Sequence, residues 1–257
     1  ANDIKSLLCV LNKHPRKNDP DLDSNILESI FDLISKENMS PLTFKNNVEL
    51  LDGEEYDNKK DKIIKSLSNG KSIFVISVYQ TIGAGQNIQY GIPKSQKNDL
   101  VKINEYPNRN EKDFDAIYLD KPTNLMVNIN NKELPPEEFA KAIFQTEYLQ
   151  ESGEVSRAQA LEHIKRTFKS YSTGQGDYSR LNYSNTRSIA LFATRTVIQA
   201  IGRICRTNIK NKDIYIFADE EIADAIDLSV CDDLRLFNPE FTNMVNKLAE
   251  YESSGII

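Results

Sequence analysis

SIFVISVY, Ser72 to Tyr79, is the run of residues that decides the fold. It strings β-branched and aromatic side chains together without a charge, so a strand buried on both faces is expected, as in the interior of a parallel sheet. Asn69-Gly70 just before it is a helix stop. The preceding Asn58 to Leu67 has helical apolar spacing, and Asn47 to Leu51 is a brief strand ending at Asp52-Gly53. Further out, SLLCVL (Ser6 to Leu11) is a short apolar run. Asp21 to Lys36 places Leu22, Ile26, Leu27, Ile30, Leu33 and Ile34 at helical spacing, with Asp23 or Ser24 as cap. DAIYL (Asp115 to Leu119) and DIYIF (Asp213 to Phe217) are two more strands. Strands that alternate with helices imply βαβ units, hence an α/β fold with a mostly parallel central sheet flanked by helices.

The chain has 257 residues, 32 of them basic and 38 acidic, for a net charge of -6. That balance excludes a uniformly basic nucleic-acid coat, and no stretch approaches the roughly 18 apolar residues of a membrane helix. The first residues offer neither the apolar run nor the cleavage site of a signal peptide. Cys9, Cys205 and Cys231 are far apart, and His14 and His163 are the only histidines, so no zinc cage and no other metal site is expected. A reducing compartment, the cytoplasm, fits best, with no membrane partner.

Charge is segregated along the chain. Between Ser156 and Lys212 eleven basic residues face only Glu162 and Asp177, a local excess of nine that leaves the remainder at -15. Such a block implies a surface that meets an anion. Residues 131–186 are expected to form a helical insertion. LPPEEFAKAIFQTEYLQ opens with prolines and acids suited to a first helical turn, and SRAQALEHIKRTFKSY supplies a second helix. STGQGDYSRLNYSNTR, Ser172 to Arg187, reads as a loop. Its Tyr178 and Tyr183, with neighbouring Tyr171, Arg180 and Arg187, suit base stacking and phosphate contact, and a solvated loop fits equally well.

Two patterns mimic nucleotide sites. Gly70-Lys71-Ser72 ends like a P-loop, but Lys65 stands where its first glycine belongs, and the order of helix and strand is reversed. IYIFADEE, Ile214 to Glu221, resembles a magnesium-holding strand but reads better as a strand running into an acidic helix start.

QAIGRICRTN, Gln199 to Asn208, carries more. On a helix, Gln199, Arg203 and Arg206 share one stripe, and Val197, Ile201 and Ile204 fall opposite, ready for burial. Gly202 beside the stripe allows close approach of a ligand. Paired guanidinium groups suit a polyphosphate, because their planar donors bind oxygens bidentately and stay charged. An ordinary helix with a solvated basic face is the alternative. The second pattern, SVYQTIGAGQNIQY (Ser77 to Tyr90), runs the buried strand into Gly83, Gly85 and Asn87, at the sheet edge where α/β proteins bind ligands. Taken alone it also fits a plain turn.

In this order the two patterns resemble motifs V and VI of superfamily 2 helicases and translocases. Gly85 and Asn87 match the Gly-x-Asp/Asn of motif V, and Gln199, Gly202, Arg203 and Arg206 match the Q-x-x-G-R-x-x-R of motif VI. The layout between about Leu22 and Ala225 is similar to the second, C-terminal RecA-like domain of such motors, which would span residues 1–257. The resemblance implies a DNA or RNA track, with DNA favoured, and ATP with Mg2+ bound mainly by an N-terminal P-loop domain. It makes Arg206 the arginine finger, Arg203 a second phosphate contact and Gln199 a coupling residue. It sets Gly83, Gly85, Asn87 and Gly202 near the nucleotide and Thr81 on nucleic acid, whereas Arg180 and Arg187 lie in the insertion, for which the superfamily pattern supplies no role, and are nucleic-acid candidates from their chemistry alone. It also implies that this chain is the C-terminal half of a larger motor and inactive alone. A RecA-like module that binds a partner or nucleic acid without motor activity is the alternative.

Overall fold

The computed structural model describes residues 4–53, 55–82, 87–96, 100–103, 110–123, 127, 134–174, 186–226 and 239–253. The chain divides into two compact units: Ala1–Lys121, Thr196–Glu220 and Leu234–Ile257 form the first, and Pro122–Arg195 with Glu221–Asp233 the second.

The first unit is an α/β sheet structure. Its strands are β1 (Ser6–Leu11), β2 (Val48–Leu50), β3 (Ile73–Val78), β7 (Ala116–Leu119) and β9 (Tyr215–Ala218). They lie in the order β2-β3-β1-β7-β9, all parallel. Leu8 of β1 is in register with Val75 on one side and Ile117 on the other. The core runs through these central strands, where Val10, Val75, Ile117 and Leu119 are fully buried.

β3 is the strand expected, with one correction. Ile73, Val75 and Ser77 are buried, whereas Phe74 and Ile76 on the other face are only half-buried. The cover on that side is α1 (Ser24–Glu37), whose Phe31 meets Phe74 of β3 edge-on at 5.8 Å and Phe44 of the short helix α2 (Phe44–Asn47) at 6.0 Å. That contact sets the rotation of the helix. Leu27, Phe31 and Ser35, spaced by four, turn inward, and the stripe 100° away (Ile26, Ile30, Ile34, with Leu33) is left about half exposed. The expected core face of this helix is thus mostly surface. Asp23 caps it, accepting from Asn25 N. Helix α3 (Tyr56–Ser68) ends at Asn69, and Gly70 takes φ +81° on the way into β3, the helix-to-strand order that excludes a P-loop.

A second, mixed sheet was not anticipated. β4 (Tyr90–Gly91), β5 (Leu100–Lys102), β6 (Glu111–Lys112) and β8 (Ile209–Asn211) lie in the order β4-β6-β8-β5. Its anchor is Lys112, whose ammonium is buried against Asp115 and donates to Asn211 Oδ1 at 2.7 Å. The same Asp115 carboxylate accepts from the Lys5 and Ser6 amides at 2.8 and 3.0 Å, and from Asn211 Nδ2 at 2.6 Å. A buried charge this thoroughly bonded is satisfied, and removing either partner leaves the other stranded at a cost of about 3–5 kcal/mol.

The second unit is helical. α4 (Pro136–Glu151) carries Glu137 and Glu138 in its first turn, and α5 (Arg157–Thr173) starts with a reciprocal Ser156–Gln159 capping box. Leu149, Val155 and Ala160 form a small core against Ile189 of α6 (Arg187–Ile201), whose residues from Thr196 onward belong to the first unit. Within that core the buried Thr146 hydroxyl and His163 Nδ1 are 2.6 Å apart. α7 (Ile222–Ala225) follows β9, and α8 (Pro239–Ser253) closes the first unit. All the described residues of 131–186 lie in the second unit. No described helix is long and apolar enough to cross a membrane.

Candidate arginine site

The site is built where α6 ends. Its Val197, Ala200 and Ile201 are buried, as is Ile204 just beyond. The helix stops at Ile201, however, and Gly202–Ile204 forms a single 3-10 turn. Gln199, Arg203 and Arg206 therefore do not continue one α-helical stripe. Gln199 is exposed on the last helical turn, Arg203 sits in the 3-10 turn and Arg206 follows it. A glycine at the first position of the turn makes the change of winding easy, and a β-carbon added at Gly202 would meet no described atom within 4 Å.

The turn brings the arginines together. Arg203 is 8% exposed and lines a small cleft with Leu8, Tyr56, Ile82, Ile88 and Phe114. Burial, and secondarily the nearby Arg206, hold its guanidinium pKa below the ordinary arginine value. Arg206 is exposed, and its Nε donates to Gly202 O at 3.1 Å. Arg203 Nη1 donates to Asn87 Oδ1 at 3.4 Å, and Arg206 Nη1 donates to the same oxygen. Two guanidinium groups thus converge on one amide oxygen. An anion with several oxygens satisfies such a pair far better.

Asp113, buried three residues before β7, fixes this geometry. Its Oδ2 accepts from Arg206 N at 2.7 Å and Thr207 N at 2.6 Å, and the Thr207 hydroxyl lies 2.9 Å away. Its own amide donates to Thr207 Oγ1 at 3.2 Å, and Gln89 Nε2 donates to Oδ1 at 3.3 Å. One carboxylate therefore pins the backbone of Arg206 and, through Gln89, the segment that carries Asn87. The motif search missed Asp113, Gln89, Thr207 and Tyr56. The available signal was KDFDAIYL, where two acids flank a phenylalanine directly ahead of an apolar strand.

Thr81 lies elsewhere, in the loop after β3. Its hydroxyl is 3.2 Å from His14 Nε2, beyond the end of β1. Asp52 after β2 pairs with Lys59 of α3 at 2.9 Å. Burial lowers the His14 pKa, and Arg16 and Lys59 add to that while Asp52 opposes it. Thr81 thus sits among polar groups at the carboxyl ends of β1 to β3. Arg187 opens α6 in the second unit and is exposed. Gly83, Gly85 and Arg180 fall outside the described residues, as do Tyr178 and Tyr183. Among the described residues no group of three or more His, Cys, Asp or Glu is placed to hold a metal ion.

No family model matches the chain, and no curated protein shows significant similarity to it.

Proposed function

We propose that this chain is the C-terminal motor domain of an ATP-dependent superfamily 2 helicase or nucleic-acid translocase. One observation carries the reading. Asn87 of the motif V segment meets Arg203 and Arg206 of the motif VI segment, across 116 and 119 residues of sequence. The all-parallel sheet and its flanking helices agree with a RecA-like domain but are shared by many other α/β proteins.

In this reading ATP, held with Mg2+ mainly by a P-loop domain, supplies the phosphoanhydride that is hydrolysed. The exposed Arg206 guanidinium reaches the transferring γ-phosphoryl and Arg203 contacts a neighbouring oxygen, each exchanging Asn87 for a phosphate oxygen. Asp113 holds the Arg206 backbone, so the guanidinium is aimed before the nucleotide arrives, which is the electrostatic preorganisation that makes such groups effective. Gln199 at the helix end transmits domain closure. Thr81 contacts a nucleic-acid phosphate, fixing position without reading sequence.

The test is Arg206→Ala in the full-length protein. ATP turnover should fall by about 10³-fold or more while ATP binding is largely retained. Normal turnover in that variant refutes the reading and favours a non-motor binding module. Robust nucleic-acid-stimulated ATP hydrolysis by the 257-residue chain alone would equally refute it.

A further inference from the structure

The second unit exposes aromatic surface that the arginine site does not use. On α5 the buried face is Ala160, His163, Thr167 and Ser170. Beside it Leu161, Ile164, Phe168 and Tyr171, spaced by three, four and three, make a second stripe that is exposed except at the part-buried Ile164. Phe168 is 54% exposed and Tyr171 41%. Phe139 of α4 completes the group, its ring stacked on Tyr171 at 4.5 Å and edge-on to Phe168 at 4.9 Å. Arg157 and Lys165, both exposed, bracket Leu161 at four residues on either side. The one carboxylate of α5, Glu162, is turned away from this stripe and paired with Arg166.

We infer that this aromatic stripe of the α4–α5 hairpin is a docking surface for single-stranded nucleic acid. Bases stack on Phe168 and Tyr171, and backbone phosphates meet Arg157 and Lys165. The charge of α5 points to the occupant, while the other acids of the two helices, Glu137, Glu138, Glu147 and Glu151, belong to α4. An apolar segment of another protein would have to bury these two cations, whereas a nucleic-acid strand presents phosphates beside its bases. On α5 the two cations lie N-terminal to the two rings, and a basic track beside stacking rings is how sequence-tolerant single-strand sites are made. The inference rests on the function proposed above only for the kind of partner.

The experiment is fluorescence anisotropy of the 257-residue chain with a fluorescein-labelled oligothymidylate of about 20 nucleotides, without ATP. Phe168→Ala and Tyr171→Ala should each weaken binding about tenfold. The Arg157→Gln, Lys165→Gln double variant, which leaves the aromatic packing intact, should also weaken it. That variant should flatten the dependence of log K on log salt by about 0.7 per cation removed. Unchanged affinity and salt slope in all of these variants overturn the inference, as does failure of the wild-type chain to bind at about 50 mM salt. Loss of self-association in Phe168→Ala without any change in oligonucleotide affinity also overturns it, assigning the stripe to a second copy of the chain. Since no nucleotide is present, these results are separable from the Arg206 experiment. Normal turnover in Arg206→Ala with weakened oligonucleotide binding in the stripe variants would leave this surface standing and remove the motor.

Discussion

Asp113→Ala removes the acceptor shared by the Arg206 and Thr207 amides. Thr207 is buried and Asp113 itself is 3% exposed, so water cannot replace the lost oxygen without opening the turn. The buried Thr207 N–H left without a partner costs about 1–3 kcal/mol and the part-buried Arg206 N–H less, the two together about 3 kcal/mol. For a unit of this size that corresponds to a fall in Tm of roughly 10 °C. Asp113→Asn is the informative companion. An amide oxygen in the place of Oδ2 accepts the same two amides and loses only the charge assistance, while Gln89 can turn its own amide to present oxygen. The Asn variant should therefore lose only about 1–2 kcal/mol. Chemical denaturation followed by circular dichroism measures both. An Ala variant within about 1 kcal/mol of the wild type, or an Asn variant as damaged as the Ala, would show that the carboxylate does not hold this turn.

Other outcomes follow from the same structure. His163 is buried against Thr146, and burial, helped by the nearby Arg166, pushes its pKa down to about 4. The unfolded chain takes up that proton near the ordinary value of about 6.5, so the stabilisation is complete above pH 6.5 and is lost as pH falls toward 4. The loss is at most about 3 kcal/mol, and a pH series of melts on His163→Gln should be flatter than on the wild type. Burial pushes the thiols of Cys9 and Cys205 up to about 12. In a Cys231→Ser background neither should react quickly with a disulfide reagent at pH 8 until denaturant is added, and a fast-reacting thiol there would contradict their burial. Gly202→Ala should leave stability unchanged or raise it by up to about 1 kcal/mol. On the motor function proposed above, it should nonetheless lower ATP turnover of the full-length protein, since the methyl group occupies the open approach to the arginines. A normal rate would show that no ligand comes close there.

The strands of the large sheet could be read from sequence because each is a local run of apolar residues. Ser6–Leu11, Ile73–Val78, Ala116–Leu119 and Tyr215–Ala218 lie where those runs predict. The small sheet could not, since strands of two or three residues such as Tyr90–Gly91 and Glu111–Lys112 have no room for a period. The inward face of α1 was misread for a different reason. Its aliphatic residues cover more than one stripe, and the choice between them was made by Phe31 meeting Phe74, a tertiary contact invisible to periodicity. At the arginine site, helical spacing placed Arg203 and Arg206 together and the resemblance singled out Asn87, and the structure brings the three into contact. The 3-10 turn that reorients them was not legible, because it depends on Asp113, which is distant in sequence and attaches to backbone amides that every residue possesses.

The place of β1 has a consequence for how the chain comes to fold. It is made before the other strands of the large sheet, yet it occupies the middle, bonded to β3 on one edge and to β7 on the other. At about 5–20 residues per second, a ribosome delivers β7 roughly 5–20 s after β1. Throughout that interval SLLCVL carries at least one unpaired edge and no charge of its own, the kind of segment that pairs with the wrong partner when chains are crowded. Assembly of the sheet is thus gated by synthesis of the segment around Ile117. Nascent chains halted before that point should be the ones that aggregate or are held by chaperones.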